Sequence, residues 1–251
     1  MMLTSPHYTK GFSYARLLWH RMKKYLVAPT EFVSIIIPIK NEPAIQELIY
    51  EINNEIKRSH EIIIVDKSSV EPKIEGAKVI AQSSNGLGNA FVEGLFHAKG
   101  DVIALMDGDG SHKPSDLLHM LSYIDRNDIV LGSKLIKGAK SCDTLGRRIV
   151  TLVFAWITRL VLWIDIKDPM TGFMVARRNI FNNLRLNPRG FKIVIEIVYK
   201  SRGSVIEVPI SFRERQAGSS KAGFNMNGIK EMFRIFRLLF ELKLGRILGY
   251  W

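Results

Sequence analysis

Residues 100–114 read GDVIALMDGDGSHKP. Five apolar residues, Val102 to Met106, stand between turn-formers, the pattern of a buried strand. Asp107 and Asp109 follow at its carboxyl end, where an open α/β sheet places charged groups in a ligand crevice. Gly108 and Gly110 leave the backbone free to bend around whatever the carboxylates hold. Two hard oxygen donors at this spacing suit Mg2+ or Mn2+, which keep several waters and complete their shell with substrate phosphates. Taken alone, Asp-Gly-Asp-Gly reads first as an ordinary turn, because Asp and Gly dominate turns for local reasons. The rest of the chain lifts the metal reading.

Working outward, Val33 to Ile39 (VSIIIPI) is a near-continuous β-branched run, expected to stop at Pro38 as a central strand would. Lys40-Asn41-Glu42-Pro43 follows as a turn, with Asn41 placed to cap a helix and Pro43 suited to its first turn. Ile45, Leu48, Ile49, Ile52 and Ile56 repeat at helical spacing, and Glu61 to Val65 is a second buried strand ending at Asp66. Strand, helix and strand in this compass make a βαβ unit with a parallel sheet. Its crevice lies where Pro38 to Glu42 and Asp66 to Ser69 meet. Lys78 to Ala81 is a third strand, and Asn85-Gly86-Leu87-Gly88-Asn89 leads into a helix from Ala90 to Ala98. Glycines before a helix start let a phosphate approach free N–H groups. The third glycine of the dinucleotide fingerprint is missing. Ser115 can cap a helix through Ile124, and strands are expected at Asp128 to Leu131, Phe173 to Ala176 and Val205 to Phe212, with a helix over 191–200.

The 251 residues carry 36 Lys and Arg against 24 Asp and Glu, a net charge of +12, and 47% are apolar. That composition fits a packed α/β fold and favours contact with something anionic: nucleic acid, membrane lipid or phosphorylated substrates. A single cysteine, Cys142, excludes an internal disulfide and points to a reducing cytosol. The first thirty residues are interrupted by Lys10, Arg16, Arg21, Lys23 and Lys24, unlike a signal peptide. The longest apolar run, Ile149 to Ile164, contains Arg159 and is shorter than the roughly 20 residues a spanning helix needs.

Residues 12–27 read as a basic amphipathic helix, with Tyr14, Leu18, Met22 and Leu26 in one stripe; it lies in a membrane interface or packs on its own domain. Lys134, Lys137, Lys140, Arg147 and Arg148 form a basic loop before the Ile149 to Ile164 helix, which is either core or partly sunk in lipid. Arg213 to Lys221 (RERQAGSSK), polar and glycine-containing, is a phosphate-contacting loop or a solvated linker. Ile229 to Leu248 closes the chain as another basic amphipathic helix.

Taken together, SIIIPIKNE, EIIIVD, GLGNA with Gly94, GDVIALMDGDGSHKP, DPMTGF and RQAGSSK resemble glycosyltransferase family 2, in its dolichol-phosphate mannose synthase branch. The resemblance runs from about Val33 to Lys221. It implies a GT-A fold: a Rossmann-like α/β architecture with a mixed, mostly parallel sheet flanked by helices, here with basic amphipathic helices at both ends. It also implies a nucleotide-sugar donor, GDP-mannose or UDP-glucose, a divalent metal on Asp107 and Asp109, and inverting transfer to a dolichyl or polyprenyl phosphate. The protein would sit peripherally on an anionic membrane surface, at its cytosolic face, with no transmembrane helix and no nucleic-acid partner. On this resemblance residues 1–30 are an N-terminal extension, 31–221 the transferase domain, with 133–165 as acceptor loop and interfacial helix, and 222–251 a C-terminal helix. Pro38, Asn41 and Glu42 would line the nucleotide site, Asp66 would hold the base or ribose, and Gly86 and Gly88 would shape the donor pocket. Asp107 would meet sugar or metal, Asp109 the metal, and Arg215, Ser220 and Lys221 the diphosphate or acceptor phosphate. Two positions depart from the family: Lys67 where a second acidic residue is usual, and Ser111 where some relatives carry a longer polar metal ligand.

A phosphate acceptor suits the residues, since no strand-end His or second Glu offers a general base and a phosphate monoester is already mostly a dianion at neutral pH. Positioning and charge stabilisation are then what the protein must supply. Lys134, Arg147 and Arg148 are the candidates for holding the acceptor phosphate. Two other readings stand beside this one: a family 2 transferase acting on a glycan hydroxyl, and a degenerate transferase domain serving as a basic membrane-binding module.

Overall fold

The computed structural model describes residues 31–187, 192–214 and 226–250, with side chains described from residue 234 onward in the last stretch. The expected helix at 12–27 and the loop holding Arg215, Ser220 and Lys221 lie outside the described residues.

Among the described residues, seven strands form one sheet in the order β3-β2-β1-β4-β7-β5-β8. They are β1 (Val33–Ile39), β2 (His60–Asp66), β3 (Lys78–Ala81), β4 (Val102–Leu105), β5 (Ile129–Ser133), β7 (Met174–Arg177) and β8 (Val205–Pro209). A two-stranded ladder pairs β6 (Lys140–Ser141) with β9 (Ser211–Phe212). Only β7 runs antiparallel to its neighbours, so β1 to β5 and β8 all deliver their carboxyl ends to one edge.

β1 is buried along its whole length, and its side chains alternate between two cores. Ile35 and Ile37 pack with Ile45, Leu48, Ile49 and Ile52 of α1 (Ile45–Glu55) and with Leu117 and Met120 of α3 (Pro114–Leu121). Ile36 packs on the other face with Phe91 of α2 (Leu87–His97) and with Ile193, Val194 and Ile197 of α5 (Ile193–Lys200). A third cluster joins Phe154 and Leu162 of α4 (Leu145–Leu162) and Ile195 and Tyr199 of α5 to Ile235, Leu238, Leu239 and Leu242 of α6 (Met226–Ile247).

Several local expectations are corrected. β1 continues through Pro38 to Ile39. Met106 N donates to Ile36 O (3.1 Å), the last bond of the β1–β4 ladder, while Lys67 N donates to Ile39 O (3.0 Å) on the β2 side. Peptide groups alternate sides, so the N–H that Pro38 lacks would point where β4 has already ended. Asn41 does not cap α1, which begins after Ala44 without a side-chain cap; Asn41 sits instead at φ 55°. Ser115 is likewise not a cap, since Pro114 occupies the first turn of α3 after Lys113. α2 starts at Leu87, so Gly88 lies inside its first turn. α4 starts at Leu145, which moves Arg147 and Arg148 from the expected loop into a helix. Val205 to Phe212 is broken at Ile210: β5 leaves the ladder after Ser133, and the chain passes to β6, with Lys140 N donating to Ile210 O (3.0 Å).

α2 approaches the sheet closely at Gly94, where a Cβ would lie 2.5 Å from Ile36 Cγ2 and 3.1 Å from Val65 Cγ2. Both neighbours are fully buried and have no free space to retreat into. Gly94→Ala is therefore expected to destabilise the fold by about 1–3 kcal/mol. Urea unfolding of the variant against the wild type measures this, and an unchanged midpoint would contradict the close approach.

Candidate active site

The carboxyl edge gathers the loops after β1, β2, β3 and β4. Asp107 and Asp109 leave β4 there, as the sheet's open edge predicts. Gly108 between them lies against the end of β1: a Cβ on it would stand 2.6 Å from Ile39 Cγ2 and 3.1 Å from Ile37 Cγ2. The two carboxylates differ in environment. Asp107 keeps 31% of its side chain exposed, whereas Asp109 is buried and its Oδ1 accepts the Ser111 amide (3.0 Å).

The ends of β1 and β2 are stitched by side chains. Asp66 is buried and its Oδ1 accepts from the Ser68 amide (2.9 Å) and the Ser68 hydroxyl (2.5 Å). Ser68 Oγ in turn accepts the Asn41 amide (2.7 Å), and Ser69 N donates to Asn41 Oδ1 (3.3 Å). Pro38 is buried in β1, Asn41 is exposed and Glu42 half-buried, so the nearest side chains of the β1 loop open to solvent are Lys40, Asn41 and Glu42. Lys67 Nζ donates to Gln82 O (3.1 Å), and Gln82 Nε2 to Gly86 O (2.8 Å), tying β2 to the entry of α2. Gly86 stands immediately before α2 at φ 98°, and Gly88 is buried.

A second set of residues lies around β5 and the chain entering β7. Lys134 N donates to Asp168 Oδ2 (3.1 Å), and Thr171 Oγ1 to Gly132 O (2.6 Å). The Lys134 ammonium pairs with Asp143 just before α4 and lies 4.6 Å from the centroid of the Phe212 ring. Its charge is thus already matched, unlike those of Arg147 and Arg148, which stand exposed in the first turn of α4 with no acidic residue beside them in that turn. Helix N-termini carry partial positive charge, so two arginines there concentrate positive potential.

Two residues that sequence reasoning left without a role emerge here. His112 is buried, 3% exposed, stacked on Phe173 with centroids 4.4 Å apart, and its Nδ1 accepts the Asp107 amide (3.1 Å). Burial holds its pKa below the ordinary value, against the opposing pull of Asp107 and Asp109. Asp168 is 1% exposed, and burial raises its pKa although the Lys134 amide and the Lys134 and Lys192 charges oppose this. The signals available were the position of His112 three residues past Asp109 and the Asp168-Pro169 turn, neither of which specifies a contact.

A family model described as "Glycosyl transferase family 2" matches residues 34–185. The chain is 34% identical to the dolichol-phosphate mannosyltransferase of Pyrococcus furiosus over 84% of this chain, and it spans 63% of that protein's length. It is 29% identical to the polyprenol monophosphomannose synthase of Mycolicibacterium smegmatis, over 89% of this chain and 92% of that protein. Among solved structures, glucosyl-3-phosphoglycerate synthase from Mycobacterium tuberculosis, in complex with Mn2+, UDP-glucose and phosphoglyceric acid, superposes with a TM-score of 0.67 at 17% identity, over 96% of this chain and 86% of that one. The mostly parallel seven-stranded sheet with helices on its faces is the expected GT-A fold.

The loop between β3 and α2 is clipped by Glu93, whose carboxylate accepts Ser83 N (2.8 Å), Ser84 N (3.0 Å) and the Ser84 hydroxyl. Burial works to raise its pKa, but these hydrogen bonds outweigh it and hold the group down at about 2 against an ordinary 4.5. A depressed carboxylate stabilises fully above its unfolded pKa and loses that contribution as pH falls toward the folded one. The stability gap between wild type and Glu93→Gln is expected at neutral pH and should narrow as pH falls from about 5 to 3. Urea titrations across that range test it; a gap independent of pH would mean that the clip is not ionic.

Proposed function

The chain belongs to glycosyltransferase family 2, and on that premise we propose that it transfers a hexose, mannose foremost, from a nucleotide-sugar to a polyprenyl or dolichyl phosphate at the cytosolic face of a membrane. The observation that carries this reading is the placement of Asp107 and Asp109 at the carboxyl edge, on a turn packed against the end of β1. The names of the two relatives, a dolichol-phosphate mannosyltransferase and a polyprenol monophosphomannose synthase, support the substrate class. The donor would be GDP-mannose, with UDP-glucose as the alternative. Asn41, Glu42 and Asp66 would line the nucleotide, with the buried Pro38 shaping the strand end behind them and Gly86 and Gly88 beside it, and Arg215, Ser220 and Lys221 would reach the phosphates.

Asp107 and Asp109 would hold Mg2+ or Mn2+. The fit is supported by Ser111: its hydroxyl is buried without a partner, while its amide donates to Asp109. Among the described residues no group of three or more His, Cys, Asp or Glu could hold a metal ion. The remaining ligands would then be water and diphosphate, the shell these cations commonly take. When bound, the cation supplies charge neutralisation for the leaving diphosphate.

The acceptor phosphate brings its own nucleophile. One of its oxygens forms a bond to the anomeric carbon as the bond from that carbon to the diphosphate breaks, with inversion and with the nucleoside diphosphate leaving. A dianionic acceptor has no proton to give up. This agrees with the state of His112 and Asp168, both sealed from solvent and thus closed to an incoming hydroxyl as bases. Arg147 and Arg148, at the start of α4, would hold the acceptor phosphate, with Lys134 contributing through its pairing with Asp143.

The lipid surface has a counterpart on α4 and α6. Leu145, Ile149, Leu152, Val153, Trp156 and Leu160 of α4, with Trp163 just past its end, are all exposed and fall at the three- and four-residue offsets of one helix side. Phe236, Phe240, Leu244 and Ile247 form a second exposed stripe on α6. Trp163 is 83% exposed, adopts a left-handed backbone (φ 55°) that a bulky side chain rarely takes, and has Lys243 Nζ 4.4 Å from its ring centroid. Among the described residues no helix is long and apolar enough to cross a membrane. Exposed apolar stripes with flanking cations suit helices that lie along an anionic interface.

Radiolabelled sugar from GDP-mannose, and separately from UDP-glucose, is expected to move into the organic phase with a short polyprenyl phosphate and Mn2+ or Mg2+, and to stay aqueous with chelator. Asp109→Asn should lower that transfer by on the order of 100-fold while the protein still folds; a fully active variant would remove the metal role. The protein should also sediment with anionic liposomes at low salt, and Trp156→Glu with Trp163→Glu should release it. Protein that stays in the supernatant in both cases would contradict the membrane partner.

A further inference from the structure

The turn that carries the carboxylates contains two glycines, Gly108 and Gly110, the latter at φ 76°. Its spacing is therefore set by contacts rather than by chain stiffness. One side chain closes it. His112 Nδ1 accepts the amide of Asp107, five residues back (3.1 Å), and Nε2 lies 4.0 Å from Asp107 Oδ2. An Nδ1 that accepts leaves the proton of the neutral ring on Nε2, the nitrogen nearest the Asp107 carboxylate in the measured pair. At 4.0 Å this is a neighbouring dipole rather than a direct hydrogen bond.

The ring is itself fixed. Phe173 stacks on it at 11° between planes, and the Phe212 ring meets it edge-on with centroids 5.7 Å apart. A Cβ on Gly172 would stand 3.5 and 3.6 Å from the two oxygens of the Asp107 carboxylate. The carboxylate thus has both the backbone of the β7 entry and the imidazole as close neighbours. The remaining turn is pinned from β9, with Arg213 N donating to Ser111 O (2.9 Å) and Ser211 N to Asp116 Oδ2 (2.8 Å).

We propose that His112 is a positioning residue, which sets the separation and aim of the Asp107 and Asp109 carboxylates by holding the Asp107 amide at Nδ1 and facing its carboxylate with Nε2. The inference rests on the metal-binding reading of the pair given above. A histidine that merely fills space would leave cation affinity untouched when replaced by a ring of similar size. One that orients a ligand from outside the coordination shell acts on metal affinity, commonly by about 10–100-fold.

The test is Mn2+ binding by electron paramagnetic resonance, with a nucleoside diphosphate present, in wild type, His112→Phe, His112→Asn and His112→Gln, each with its thermal midpoint. His112→Phe keeps the stack and loses both nitrogens, and it is expected to weaken Mn2+ by about 10-fold or more. His112→Asn places an acceptor near Nδ1 and should recover most of that loss; His112→Gln, which reaches the Nε2 side, should not. The Asn and Gln pair gives the same comparison should the Phe variant not fold. Equal Mn2+ affinity in all variants, or Asn no better than Gln, overturns the inference while leaving the metal reading intact. Wild type that binds no Mn2+ overturns that reading and this inference together.

Discussion

β1 has no face that can be left in water. Ile35 and Ile37 point to one side of the sheet and Ile36 to the other, and all three are fully buried. A strand of this kind has to be covered twice, and two layers of helix are reached by crossover connections that make its neighbours parallel. Parallel neighbours end on the same edge, so the loops after β1, β2 and β4 converge there without any attraction between them. The site is thus a consequence of how the core is covered. β7, the one reversed strand, adds to this: it begins at that edge and brings Asp168, Thr171 and Gly172 to it from the opposite direction.

What the sequence made legible follows the same division. Runs such as VSIIIPI and EIIIV, and the spacing of Leu48, Ile49 and Ile52, report burial and period, which depend on side-chain type. The placement of Asp107, Asp109 and Asp66 at strand ends was legible for that reason. The place of Pro38 within β1 is not legible, because its tolerance depends on which neighbouring strand its peptide faces, and on β4 ending two residues earlier, a fact of register. Asn41 resembles a cap by type, but its side chain meets Ser69 from the next strand's loop. The parts of His112 and Asp168 are not legible in the sequence, because their partners lie in Phe173, Phe212 and Lys134, remote along the chain.

Charge follows a different rule from packing. The +12 excess is not spread evenly in effect, since several cations are matched where they stand. Lys134 pairs with Asp143, Lys200 with the buried Glu196, and Arg237 with Glu241. Arg147 and Arg148 lie in a helix's first turn with no acidic residue there, where the backbone dipole has the same sign as the side chains. Such an arrangement lowers helix stability and is relieved by an anion, which distinguishes these two cations from those whose charge is already met.

The apolar face of α4 and α6 is tied to this edge by α5. Ile193, Val194 and Ile197 of α5 pack into the core beneath the sheet, while Ile195 and Tyr199 pack with Phe154, Leu162, Leu238 and Leu242 of the helix pair. One short helix therefore belongs to both clusters, so the exposed stripe cannot tilt without disturbing the sheet's own core. Close-packed interiors resist that kind of displacement. The start of α4 is held in turn by Asp143 against Lys134, whose amide is bound by Asp168 beside β7. The exposed apolar stripe and the start of α4 thus keep a fixed relation to the sheet, set by α5 at one end of α4 and by the Lys134–Asp143 pair at the other.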